Sequence, residues 1–109
     1  MEYLPYRYTS GSGEQLTFEF ALHPETDSAV RVQQLLDRVL TTVDHEVAVL
    51  GDTCNGDLLQ ALAMALAVRT EMIPADGEMT RGLARDVVER ALRALPEARH
   101  EMTGPVGHA

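Results

Sequence analysis

Cys54, the only cysteine of the 109 residues, stands in the stretch GDTCNGD between Asp52 and Asp57, just ahead of an apolar run. A thiol at a helix N-terminus can ionise there, because the helix dipole favours the anion. Asp52 and Asp57 oppose that by like-charge repulsion, and no basic side chain is near in sequence. A packing role accounts for every position instead. Gly51 closes a preceding helix, Asn55 is an N-cap, and Asp57 occupies the first turn, where its charge suits the dipole. Cys54 then lies one residue outside, set to pack against Leu59 as a hydrophobic staple. An EF-hand loop fails, since its twelfth position would be Ala63 and not a glutamate.

The other groups able to do chemistry do not assemble either. His23, His45, His100 and His108 include no pair at i,i+4 spacing and have no second cysteine to join, so no metal site and no cofactor are expected. His23, before Pro24, is placed for a cap, and His45 sits near a helix end that favours its charge. Ser10 and Ser12 lie in a glycine-rich turn, but phosphate loops need a lysine and a following helix, whereas a strand follows here. No G-x-S-x-G or H-E-x-x-H motif occurs. The expectation is a protein that is not an enzyme.

These side chains are positioned by elements whose periods are legible. All five aromatics, Tyr3, Tyr6, Tyr8, Phe18 and Phe20, fall in the first twenty residues. Leu4, Tyr6 and Tyr8 alternate with polar or turn residues, and so do Leu16, Phe18, Phe20 and Leu22; period two of this kind predicts two strands, each with one apolar face. The apolar positions are even-numbered in both strands, so pairing that keeps them on one side requires an odd loop. A three-residue loop Gly11-Ser12-Gly13, with Gly13 in the left-handed region, satisfies this and pairs Tyr8 with Leu16 and Tyr6 with Phe18.

From about Thr26 the period becomes three-four. Val32, Leu35, Leu36, Val39, Leu40, Val43, Val47 and Leu50 form one stripe of a long helix. A β-branched run at 46–50 also fits a short strand, but the unbroken spacing favours helix. Residues 56–72, GDLLQALAMALAVRTEM, are apolar nearly all round, which predicts a central, buried helix. Pro74 stops it, and PADGEMT reads as a turn. A third helix carries Leu83, Val87, Val88, Ala91, Leu92 and Leu95 on one stripe, with i,i+4 ion pairs Arg85–Glu89–Arg93 and Asp86–Arg90 outside; Pro96 ends it.

The whole is expected to be α+β, a two-stranded antiparallel β-hairpin packed on three helices (ββααα), in one domain over 1–96 with a tail over 97–109 that is flexible unless a partner subunit orders it. Apolar residues make up 45% of the chain, enough for a core. MEYLPYRYTS has no signal-peptide pattern, and the apolar run 58–68 is too short to cross a bilayer, so a cytoplasmic location is expected, with no membrane. All nine cations are arginine and the net charge is −8, the acidic excess lying before residue 78. An arginine-only cation set is expected of a bacterial chain from a GC-rich genome. An acidic chain lacks the clustered cations that a phosphate backbone requires, so nucleic acid is not an expected partner.

Two functions fit these features. The first is a small acidic interaction or regulatory module, homodimeric and without catalysis, for which the free hairpin edge, the alanine-rich second helix and the charge asymmetry argue. On that reading, reversing a surface charge such as Asp37 or Arg85 should weaken the partner contact. The alternative is a binder of a small apolar ligand, in a pocket between the aromatic hairpin face and the helices, with Tyr6, Tyr8, Phe18, Phe20 and Cys54 as lining candidates.

Overall fold

A computed structural model describes residues 2–102. Strands β1 (Tyr3–Thr9) and β2 (Glu14–Ala21) are followed by helices α1 (Ala29–Leu50), α2 (Asn55–Glu71) and α3 (Gly77–Leu92). A 3-10 turn (Leu95–Glu97) then leads into strand β3 (Arg99–Met102).

The hairpin has the expected register, with Tyr6 opposite Phe18 and Tyr8 opposite Leu16. Its loop is Gly11-Ser12-Gly13. The Ser10 N–H donates to Glu14 O at 2.8 Å and the Gly13 N–H to Ser10 O at 3.0 Å. Gly13 has φ +93°, a left-handed conformation that a side chain would strain. Pro5, which has no N–H to donate, lies in β1, an edge strand.

The sheet has three strands, in the order β1-β2-β3, and not two. β3 pairs antiparallel with β2, Glu14 opposite Met102 and Thr17 opposite Arg99. The expected tail at 97–109 therefore contributes a strand at 99–102, and residues 103–109 lie outside the described range. Nothing in Arg99-His100-Glu101-Met102 alternates by hydropathy, and all four residues are exposed. Backbone pairing holds this strand, together with a 2.9 Å contact between His100 Nδ1 and Glu14 Oε2.

α1 begins at Ala29, three residues after the change of period at Thr26, because Ser28 is the N-cap and its hydroxyl accepts from the Arg31 N–H at 3.1 Å. The helix runs through 46–50 without a strand and closes at Gly51, with φ +86° and an N–H donated to Val47 O. α3 starts inside the expected turn, at Gly77, where the Asp76 side chain caps the Met79 N–H. The Arg90–Asp86 ion pair forms at 3.1 Å, and Arg93 lies 4.0 Å from Glu89.

The expected burial of α2 is not found. α1 lies on β1 and α3 on β2, but α2 packs chiefly along α3. Leu59 is 68% exposed and Val68 60%; Thr70 is the one buried residue of this helix. The tight interior is small: Leu4, Tyr6, Leu22 and Ala94. The accessible surface is 8436 Å², against about 6,000 Å² for a compact chain of 12.0 kDa.

Candidate functional site

The seam between hairpin and α1 is polar at its centre. Tyr6 is 3% exposed, and its hydroxyl donates to Asp37 Oδ1 at 2.6 Å. The Tyr8 hydroxyl donates to Asp44 Oδ2 and lies 3.2 Å from Leu40 O. Asp44 also accepts the Gly11 N–H at 3.3 Å, so one carboxylate ties the hairpin loop and the second strand position to α1. Burial, followed by the hydrogen bond to Asp44 and its charge, pushes Tyr8 up to about 12. Burial and then Asp37 raise Tyr6 as well. Both hydroxyls are protonated donors at neutral pH, which suits structural anchors and not general bases. Asp37 is thus a partner of Tyr6 and not a free surface charge.

The four aromatics predicted as pocket walls do come together on one face of the sheet. Phe18 stacks on Phe20 with centroids 5.0 Å apart, and Tyr6 approaches Phe20 at 6.4 Å. Only Phe20 reaches a cleft. This cleft, of about 300 Å³, is walled by Phe20 with Leu4 and Leu22 from the hairpin, Leu36 from α1, and Val87 and Ala91 from α3. It therefore uses α1 and α3, not the expected α2. A second, more open cleft of about 380 Å³ adjoins it, sharing His23, Thr26 and Val87, and reaches Leu66 and Arg69 of α2.

His23 stands between the two. Its Nδ1 accepts the Glu25 N–H at 3.0 Å within the turn before α1, whose cap is Ser28 and not His23, and this leaves the ring proton on Nε2. That nitrogen faces Asp86 Oδ2 at 3.3 Å, the same oxygen that takes Arg90 Nε at 3.1 Å. The Asp86–Arg90 half of this cluster was legible as an i,i+4 pair. The His23 half was not, because only the packing of α3 on β2 joins residues so far apart in sequence.

Cys54 is the N-cap of α2, not the residue before it, and it is exposed. Leu59 is exposed too, so the two form no staple. The Sγ faces the N–H groups of Gly56 and Asp57, too loosely to count as capping bonds but enough to hold the thiol below its ordinary range. Cys54 lines neither cleft. No cluster of three metal-ligating side chains occurs among the described residues.

The most extensive feature is apolar surface. Of nineteen large apolar side chains exposed among the described residues, fourteen lie on α1, α2 and α3. On α1 the apolar arc is wider than its contact with the sheet. Leu36, Leu40, Val43 and Val47 turn inward, Val32 reaches the cleft, and Leu35, Val39 and Leu50 stand in solvent. On α2 the side away from α3 carries Ala61, Met64, Val68 and Met72 at three-four spacing, and no charge interrupts residues 58–68. No helix among the described residues is long and apolar enough to cross a membrane. No protein family matches the chain, and no curated protein or solved structure is detectably similar to it.

Proposed function

We propose that this chain is a non-catalytic interaction module that works as a homodimer, with the outer stripes of α1 and α2 as the interface. The observation that carries the reading is the exposed apolar face of α2, which over residues 58–68 carries no charge. A two-fold interface must be complementary to itself. Two negatively charged molecules meet most easily where neither presents a charge, and residues 58–68 offer none. The area also suffices. Burying one large aliphatic side chain removes on the order of 100 Å² from water, so eight to ten such residues reach the ~800 Å² per partner of a standard interface. Alanines at 61, 63, 65 and 67 allow a second helix to approach closely.

The test is sedimentation equilibrium on the intact protein and on a Met64→Glu, Val68→Glu variant. The parent should show twice the 12.0 kDa chain mass and the variant a single chain with unchanged hairpin signals. A parent that stays monomeric at high micromolar concentration refutes the proposal.

A second reading, a binder of a small apolar ligand, has one specific support: the 300 Å³ cleft, at the lower end of the usual range for small-molecule pockets. Soaking the protein with octanoate or 1-octanol and following amide shifts around Phe20 and Val87 tests it.

A further inference from the structure

We infer that the cleft between the hairpin end, α1 and α3 takes an amphiphilic carboxylic acid, with its chain against Phe20 and its carboxylate on the Arg90 guanidinium. This rests on the second reading above and adds the head group that the cleft would select. The charges on its lining point that way. Beyond its apolar walls the cleft presents Thr26, His23 and Arg90, and no carboxylate lines it. Arg90 is its only permanent charge, in a chain whose overall charge is −8.

The geometry holds that cation ready. Arg90 is 19% exposed at its side chain, and Asp86 Oδ2 takes its Nε–H at 3.1 Å from the turn of α3 below. No other partner of this guanidinium occurs among the described residues, so the N–H groups of Nη1 and Nη2 remain for an acceptor. Arginine matches a carboxylate because two parallel N–H groups meet its two oxygens. Asp86 also faces His23 Nε2 at 3.3 Å, and so orients both basic groups at the rim. The volume sets the scale of the probe: at the ~30 Å³ a water takes in the liquid, 300 Å³ corresponds to roughly ten heavy atoms, the size of a medium-chain acid.

The experiment compares octanoate, 1-octanol and octylamine, equal in length and different in head group, by amide chemical-shift titration of the intact protein. Octanoate should bind most tightly, and Arg90→Met should weaken it roughly tenfold to a hundredfold while leaving octanol unchanged. Ala91→Phe, which fills the cleft without touching the head-group site, should abolish shifts around Phe20 for both. If Arg90→Met fails to fold, Arg90→Lys, which keeps the charge but not the paired donors, should still weaken octanoate more than octanol. Octanol binding as well as octanoate, with no effect of the Arg90 variants, overturns the carboxylate assignment and leaves the apolar-ligand reading standing. Shifts that survive Ala91→Phe, or no shifts with any probe, remove both.

Discussion

The hairpin seam and the outer face of α2 are built from similar amounts of apolar side chain but end in opposite states. At the seam, Tyr6 and Leu4 are 3% and 7% exposed, and each tyrosine hydroxyl meets an α1 carboxylate. On α2, Met64 and Val68 stand in solvent at 57% and 60%. The first region is complete within one chain. The second has the composition of an interior and no cover within the chain, which is the contrast the proposed interface rests on.

The largest effect should come from breaking that contrast on its open side. With Met64→Glu and Val68→Glu the dimer should dissociate, and the unfolding midpoint should lose its dependence on protein concentration, as measured by urea denaturation at two concentrations. Next, Tyr6→Ala should cost about 3–5 kcal/mol, the usual loss for a buried aromatic. Set beside it, Met64→Ala separates two accounts. A residue exposed in the functional state changes stability by less than about 0.5 kcal/mol. One buried against a second copy should cost about 2 kcal/mol or more where the dimer is formed, and less as dilution dissociates it.

Asp37→Ala leaves the Tyr6 hydroxyl buried without its acceptor and should cost about 1–3 kcal/mol by the same denaturation curves. The alkaline limb follows from the raised tyrosines. A group whose folded pKa lies above its unfolded value contributes stability that is whole below the unfolded value and is lost as pH rises through the folded one. Stability should thus hold up to pH 10 and fall from there through about 12, and Tyr8→Phe should flatten the fall. The smallest contrast is between two helix starts. Ser28→Ala should cost about 1 kcal/mol, whereas Cys54→Ser should gain a few tenths, because α2 has no side-chain capping bond to lose.

What could be read from the residues follows a physical line. The strands, their register and the Gly13 turn were legible because period two and a left-handed glycine are local signals. The long α1 was legible because its stripe never breaks. β3 was not, since Arg-His-Glu-Met has no apolar face and pairs through its backbone. The burial of α2 was misread for a different reason: a helix apolar all round has the same sequence whether its own chain or a second copy covers it. The cleft was misplaced because His23, Asp86 and Arg90 meet only through tertiary packing. Of the residues named for it, Phe20 alone lines the space, and Tyr6 and Tyr8 are spent on Asp37 and Asp44.

Sedimentation equilibrium of the intact chain up to high micromolar concentration tests the central claim most directly. The account predicts twice the 12.0 kDa chain mass, collapsing to one chain when Met64 and Val68 become glutamate. A stable single chain, unfolding cooperatively at a midpoint independent of concentration, would contradict it.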